Sequence, residues 1–348
     1  MIEVFNHTGF GVSDIERSTR FYSKTLGFSV KVDEFEDDYK NIVGDDAAGE
    51  SAREFLRSTP YVPERIKVRM FINPLGGAMI EMAQPISQPA HPHGEQRWGD
   101  IGFLGMGAKA YRLDDLLPAL ERKGVGPVTP VTAVKAANGS TWRSAFLRDP
   151  DGTPVELLET PEPPHYRKPA VGGLSHLLIG VSDMDRSVDF YSRALGFDVV
   201  AFDSEGAAPA LDPSDGESRA RTVVLERSRR PGNTLPREPG MVRLVQATSF
   251  EGKHFQEGIF WGGTGILELG LEVTDIDGTY SRVLEAGAEP FIGPTGMRLS
   301  RGTLGRFAYT RDPDGNLVEL TQMDRTWFLP PGLMAFMNSL MVKVRLLR

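Results

Sequence analysis

Cysteine is absent from the 348 residues of this chain. That absence excludes disulfide bonds, zinc sites built on thiolates and cysteine nucleophiles. Long hydrophobic runs are missing too: the chain contains no stretch of about 20 apolar residues, the length that is needed to span a bilayer. The first residues, MIEVFNHTGF, lack the basic region and apolar run of a signal peptide. We therefore expect a cytoplasmic protein.

Negatively charged residues outnumber positively charged ones. The chain has 39 Lys and Arg against 47 Asp and Glu, which gives a net charge of −8. No basic patch with interleaved aromatic residues is found, so we expect no nucleic-acid partner. Hydrophobic residues make up 40% of the chain, which is typical of a globular protein with a full core. The length favours two domains.

A repeat confirms that the chain has two halves. FNHTGFGVSDIERSTRFYSKTLGF begins at Phe5, and LSHLLIGVSDMDRSVDFYSRALGF begins at Leu174. About half of the aligned positions are identical, and His7 aligns with His176. A second pair follows later in each half, RDPDGTPVELLE from Arg148 and RDPDGNLVELTQ from Arg311.

Each repeat predicts the same local structure. HLLIGVSD is a short apolar run, as expected for a strand, and Ser182 or Asp183 can cap the helix that follows. Gly196 is expected to end that helix, and RDPDG predicts a turn before a closing strand. Fainter copies begin at Ala108 and Gly265. The sequence therefore predicts four strand–helix–strands units, two in each half.

These motifs resemble the vicinal oxygen chelate superfamily, which includes glyoxalase I, bleomycin-resistance proteins and extradiol dioxygenases. The resemblance implies an α+β fold of two tandem domains, each of two βαβββ modules that form an open, cup-shaped barrel. It places an N-terminal domain at 1–162, a proline-rich linker at 163–172 and a C-terminal domain at 173–325. A C-terminal tail occupies 326–348.

The resemblance also implies one divalent metal ion (Fe, Mn, Zn, Co or Ni) in the active domain. We predict that domain to be the C-terminal one, with His176, Glu268 and Glu319 as ligands. Imidazole and carboxylate groups suit such ions, and alternate strand residues face the cup. The second-choice site, in the N-terminal half, is His7, Glu81 and Glu156, with its remaining position on or next to Ala108. A strand histidine beside a glutamate can also be an ordinary polar pair.

Other side chains are candidates for binding a small-molecule substrate. Arg243 falls where glyoxalase-type members carry a fourth ligand, and a guanidinium can hold a substrate carboxylate instead. Arg298 and Arg301 would recognise anions in the same way if they face the cup. Trp261 could line the pocket or pack between modules. His91 and His93 have the spacing of a surface metal clip in a proline-rich loop, and His254 lies in a loop that could cover the cup.

The expected chemistry is that of a lyase or isomerase. A metal that chelates two neighbouring substrate oxygens acidifies the adjacent C–H bond, and Glu268 or Glu319 could move the proton. One alternative is an extradiol dioxygenase with Fe(II). Its two-His-one-carboxylate set is not reproduced, because Glu268 replaces a histidine ligand. Residues 300–302 also lack the histidine that handles proton transfer and oxygen binding in that family. The other alternative is a non-catalytic protein that binds and sequesters a small molecule.

The tail predicts an amphipathic helix. Beyond Pro330 and Pro331, apolar residues recur at helical spacing, namely Leu333, Phe336, Met337, Leu340 and Val344. An unpaired apolar stripe of this size would favour aggregation, so we predict that it forms a homodimer contact.

Overall fold

The structure is a computed structural model of the chain. It describes residues 1–38, 41, 45–58, 61–161, 168–209, 211, 218–228, 239–256, 261–298 and 304–325. At residues 55, 58, 298, 304, 324 and 325 it describes the backbone alone. Arg301 and the tail from residue 326 lie outside the described residues, so the predicted tail helix and its homodimer contact stay predictions.

The N-terminal half contains two modules. The first comprises β1 (Ile2–Gly11), α1 (Ile15–Thr19) with a π-helical turn (Arg20–Thr25), β2 (Val30–Asp38), α2 (Ala47–Ser58), β3 (Arg65–Asn73) and β4 (Gly76–Pro85). The second comprises β5 (Gly102–Tyr111), α3 (Leu113–Glu121), β6 (Thr132–Lys135), β7 (Thr141–Arg148) and β8 (Pro154–Glu159).

The C-terminal half repeats this plan. The third module comprises β9 (Ala170–Gly180), α4 (Met184–Arg193), β10 (Val199–Ala207), β11 (Arg219–Glu226) and β12 (Met241–Ala247). The fourth comprises β13 (Gly265–Ile266), β14 (Glu268–Val273), α5 (Ile276–Glu285), β15 (Glu289–Arg298), β16 (Leu304–Arg311) and β17 (Leu317–Arg325). The predicted α+β fold of four βαβββ modules is confirmed.

Local signals in the sequence explain where the helices begin and end. Asp183 caps α4, because its carboxylate accepts a hydrogen bond from the Arg186 backbone amide at 3.0 Å. Gly196 follows the helix with a φ of +74°, a conformation that glycine adopts without strain. Both features agree with the sequence prediction.

The two modules that form a cup together do not come from the same half of the chain. In the first module β1 runs parallel to β4, and in the fourth module β14 runs parallel to β17. β1 also pairs antiparallel with β14, so modules one and four share one sheet, the first cup. In the same way β5 pairs with β8 and β9, and β9 pairs with β12. Modules two and three therefore form the second cup, and each cup contains strands from both halves.

The two recurring motifs contact each other across the modules of one half. The Tyr22 hydroxyl donates to Asp149 in the first RDPDG turn at 2.9 Å, and the Tyr191 hydroxyl donates to Asp312 in the second at 2.8 Å. Burial raises the pKa of Asp149 to about 6. The helix motif and the turn motif recur together because they are the two sides of one buried contact.

The largest apolar core lies between the sheets and the helices of both halves. It is formed by buried residues from all four modules, among them Phe5, Tyr22, Leu113, Tyr191 and Ile276. A smaller cluster joins Ala52 and Leu56 of α2 to Tyr309 of the fourth module and to Trp261, which precedes that module in the chain. α2 therefore packs against the strands of the first cup. Within the described ranges, no helix has the length and apolar character needed to cross a membrane.

Candidate metal centre

Four polar side chains from four strands meet in the first cup. His7 lies on β1, Glu81 on β4, Glu268 on β14 and Glu319 on β17. The His7 Nε2 atom is 2.8 Å from Glu319 Oε2 and 3.7 Å from Glu268 Oε1. Glu81 pairs in register with Gly9, two residues beyond His7 on the neighbouring strand. These strands bring the side chains together because alternate residues of each strand face the same side.

Two neighbouring aromatic residues hold the Glu268 carboxylate in place. The Tyr309 hydroxyl donates to Glu268 Oε2 at 2.7 Å, and the Trp261 indole N–H donates to the same oxygen at 3.3 Å. The other oxygen, Oε1, remains directed towards His7. Gly9 makes this position possible, because a Cβ there would stand 2.2 Å from Glu268 Oε1.

The cluster carries more negative than positive charge. His7, Glu268 and Glu319 are buried and Glu81 is partly exposed. In the described part of the chain, His7 is the one cationic group that pairs with these carboxylates. Burial would lower the pKa of His7, but the neighbouring glutamates raise it well above its usual value.

The carboxylates show the complementary effect. Burial raises the pKa of Glu81 to about 8, and repulsion from Glu268 and Glu319 adds to the rise, while His7 opposes it. Burial and the Glu268 charge also raise the pKa of Glu319. Buried carboxylates are costly without a balancing cation. In the absence of a second positive charge, the carboxyl groups of this site therefore tend to keep their protons.

The geometry suits a divalent cation. One oxygen of Glu268, one of Glu319 and one nitrogen of His7 lie within 4.8 Å of one another. Metal–ligand bonds of about 2.1 Å separate neighbouring donor atoms by roughly 3 to 3.4 Å, between the two distances measured from His7. Imidazole nitrogen and carboxylate oxygen are ligands that Zn, Mn, Fe, Co and Ni accept.

The second cup contains a different cluster. His176 Nε2 is 2.8 Å from Glu156 Oε2, and Arg243 Nη1 donates to Glu156 Oε1 at 2.6 Å. All three residues are buried. Burial would raise the pKa of Glu156, but the Arg243 cation and the His176 hydrogen bond hold it at about 2. This cluster is balanced by its own guanidinium.

The strand registers show which residues are equivalent in the two cups. Gly9 pairs with Glu81, as Leu178 pairs with Arg243. Tyr309 pairs with Glu319, as Phe146 pairs with Glu156. Each histidine pairs with a glycine of a neighbouring strand. The residue two positions before that glycine is Glu268 in the first cup and Gly105 in the second. The remaining ligand position that was predicted on or next to Ala108 therefore corresponds to Gly105 in the second cup.

The structure thus groups the predicted ligands differently from the sequence analysis. The set His176, Glu268 and Glu319 is divided, because His176 lies in the second cup and the two glutamates lie in the first. The set His7, Glu81 and Glu156 is divided in the same way. Both predictions assumed that each half closes its own cup, whereas β1 pairs with β14 and β5 pairs with β9.

The other predicted site residues have varied places. Arg243 is bound to Glu156 inside the second cup. Trp261 is buried and contacts the site through Glu268. The side chain of Arg298, like the whole of Arg301, lies outside the described part. The His91 ring packs on Tyr61 with centroids 4.2 Å apart, and the metal-type cluster found among the described residues contains neither His91, His93 nor His254.

Sequence reasoning missed the roles of Gly9 and Tyr309. The signal for Gly9 was present in the repeat, where HTGFG in one copy corresponds to HLLIG in the other. The loss of a leucine at this position leaves room for a polar group from another strand. The source of that group could not be found from the repeat alone.

Comparison with known proteins agrees with the motifs. The profile of the Glyoxalase/Bleomycin resistance protein/Dioxygenase superfamily matches residues 4–157 and 173–320. The chain belongs to this superfamily. A probable chloroplastic lactoylglutathione lyase of Arabidopsis thaliana is 26% identical over 208 residues, 56% of this chain and 44% of that protein. A lactoylglutathione lyase of Pseudomonas putida is 28% identical over 162 residues, 42% of this chain and 83% of that protein.

Two solved structures share the overall fold. Glyoxalase I from Zea mays superposes with a TM-score of 0.54 at 16% identity, over 97% of this chain and 95% of that one. A putative dioxygenase from Bacillus subtilis superposes with a TM-score of 0.54 at 14% identity, over 94% and 87% of the two chains. The chain spans about half the length, or less, of the plant lactoylglutathione lyases that it matches in sequence.

Proposed function

We propose that the first cup binds one divalent metal ion through His7, Glu268 and Glu319. In this proposal the protein is a metal-dependent lyase or isomerase that acts on a small oxygenated substrate. The observation that carries the proposal is the buried cluster of His7, Glu268 and Glu319, with the partly exposed Glu81 beside it. A divalent cation supplies the positive charge that the cluster lacks.

The bound metal would act as a Lewis acid that polarises substrate oxygens and makes a neighbouring C–H bond more acidic. Glu268 is suited to be a fixed ligand, since Tyr309 and Trp261 already hold one of its oxygens. Glu81 is the carboxylate that we propose to accept and return the proton. It lies beside the three-ligand cluster, outside the group of closely spaced ligand atoms, and it is partly exposed.

The donor set favours this chemistry over oxygen activation. The cluster contains one histidine and two or three carboxylates, whereas a non-haem iron oxygenase uses two histidines and one carboxylate. The names of the curated relatives suggest a first substrate to assay, lactoylglutathione. The smaller claim, proton abstraction next to a carbonyl or hydroxyl carbon, does not depend on that substrate.

Metal content and isotope exchange test the proposal. We expect one equivalent of metal in the wild-type protein, none in the His7→Ala variant, and one in the matched second-cup variant His176→Ala. With substrate in D2O, the metal-loaded protein should exchange the C–H proton for deuterium. Retention of the metal by His7→Ala would refute the assignment. Saturable binding of the substrate without exchange would instead support the sequestration alternative.

A further inference from the structure

A hydrogen-bonded chain leads away from His7 on the side opposite the candidate metal. His7 Nδ1 is 3.0 Å from Asn6 Oδ1, and the Asn6 amide nitrogen donates to Glu272 Oε2 at 2.8 Å. A carboxylate accepts hydrogen bonds, so the amide nitrogen must face Glu272 and the amide oxygen must face His7. The amide oxygen can only accept, so Nδ1 carries the proton and Nε2 is left as the atom that faces Glu319 and Glu268.

An irregular strand register makes this contact possible. Neighbouring residues of a regular strand point to opposite faces, so their side chains do not meet. The β1–β14 pairing shifts between Phe5, opposite Leu271, and His7, opposite Gly270, which leaves Asn6 as the extra residue. Such a bulge redirects a side chain. Here it brings the Asn6 amide to the back of the His7 ring.

The second cup provides an internal comparison. It has the same shift of register, between Gly107 opposite His176 and Ala108 opposite Leu174, and its extra residue is Ser175. The Ser175 hydroxyl lies 2.9 Å from His176 Nδ1 and donates to the Gly107 carbonyl oxygen. Glu272 lies two residues after the glycine that pairs with the histidine of the first cup. The equivalent residue of the second cup is Lys109. The chain to a carboxylate is therefore specific to the cup that has the carboxylate cluster.

We infer that Asn6 and Glu272 are positioning residues for the metal ligand His7. The inference rests on the function proposed above. Asn6 fixes the His7 ring with Nε2 towards the metal, and Glu272 holds the Asn6 amide in the orientation that presents its oxygen to Nδ1. A carboxylate behind a ligating histidine makes the imidazole a better donor, and loss of such a partner typically weakens metal affinity about 10- to 100-fold.

Metal affinity measured with Co2+ alone, by competition with a chromogenic chelator, tests the inference without reference to activity. Asn6→Ala should weaken Co2+ binding by about 10-fold or more, and Glu272→Gln should weaken it to a smaller degree. The double variant Asn6→Asp/Glu272→Gln moves the carboxylate next to the His7 ring, and it should bind Co2+ within about threefold of the wild type. Ser175→Ala, the matched change in the second cup, should leave the affinity unchanged.

The outcomes separate this inference from the proposed function. If His7→Ala abolishes Co2+ binding while Asn6→Ala and Glu272→Gln bind as tightly as the wild type, the positioning role is wrong and the metal site stands. If the double variant stays as weak as Asn6→Ala, the effect is one of local packing and the inference also fails. If the wild type binds no Co2+, the proposed metal site is wrong, and the inference that rests on it is wrong as well. Thermal unfolding of each metal-free variant checks that the fold is retained.

Discussion

The charge cluster of the second cup can be tested by removing its cation. In the Arg243→Met variant an unbranched apolar side chain replaces the guanidinium, and the fully buried Glu156 keeps its hydrogen bond to His176. The pKa of Glu156 is about 2 in the folded protein against an ordinary value of 4.5. The pKa is lower by roughly 2.5, which at about 1.4 kcal/mol per pKa unit corresponds to about 3.5 kcal/mol. Removal of one partner of a buried ion pair typically costs about 3–5 kcal/mol.

We therefore expect Arg243→Met to lower the free energy of unfolding at pH 7 by about 3.5 kcal/mol, measured by urea denaturation. The folded-state pKa of Glu156 is depressed, so its stabilising contribution is present above about pH 4.5 and is lost as the pH falls towards 2. The difference between wild type and variant should shrink over that interval. Metal content should not change, because Arg243 lies in the cup without the carboxylate cluster.

Two further variants make the argument refutable. Arg243→Met/Glu156→Gln removes both charges and keeps a hydrogen-bonding partner for His176, so its stability should return to within about 1 kcal/mol of the wild type. Arg306→Met removes one side of an exposed pair with Asp277 and should cost less than about 1 kcal/mol. A loss below 1 kcal/mol for Arg243→Met, or a double variant as unstable as the single one, would contradict the reasoning.

Three predictions concern the first cup. Gly9→Ala places a Cβ 2.2 Å from Glu268 Oε1, so chelator competition should show metal affinity at least about 10-fold weaker, with little change in thermal unfolding, because a flexible side chain can move away. Glu81→Gln should retain the metal but lose deuterium exchange into the substrate; rapid exchange would remove Glu81 as the proton acceptor. The raised pKa values of His7 and Glu81 mean that the metal-free site holds protons at pH 7. Metal affinity should therefore rise with pH up to and beyond pH 8, and calorimetry in two buffers should detect proton release; a flat profile from pH 6 to 9 would contradict this.

The four modules could be predicted from the sequence because each is encoded locally. The helix caps, the glycine at +74° after α4 and the RDPDG turns depend on residues that are close in the chain. The pairing of modules into cups depends on contacts across the whole chain. β5 and β14 carry similar apolar strand patterns, so sequence alone does not show that β1 pairs with β14 and β9 pairs with β5.

The candidate site follows the same division between local and distant information. The repeat identified His7, His176, Glu156 and Glu319 as inward-facing positions, and the structure places each of them in a cup. The identity of their partners could not be predicted, since it depends on which modules share a sheet. Asn6 was missed for a different reason: regular strand alternation places it on the opposite face from His7, and a shift in register brings the two together.

The comparison of the two cups identifies which residues distinguish the proposed metal site from an ordinary polar pair. Both cups keep a buried histidine 2.8 Å from a glutamate of a closing strand, so that pair alone does not specify a metal. In the first cup Glu81 and Glu268 add two carboxylates, and no lysine or arginine of the described ranges pairs with them. In the second cup the equivalent positions hold Arg243 and Gly105, which add one cation and remove one acid. Phe146 and Leu178 take the places of Tyr309 and Gly9, so the second cup also lacks the hydroxyl and the space that an extra carboxylate needs. These substitutions act in the same direction, because each removes either the negative charge that attracts a cation or the means of holding it.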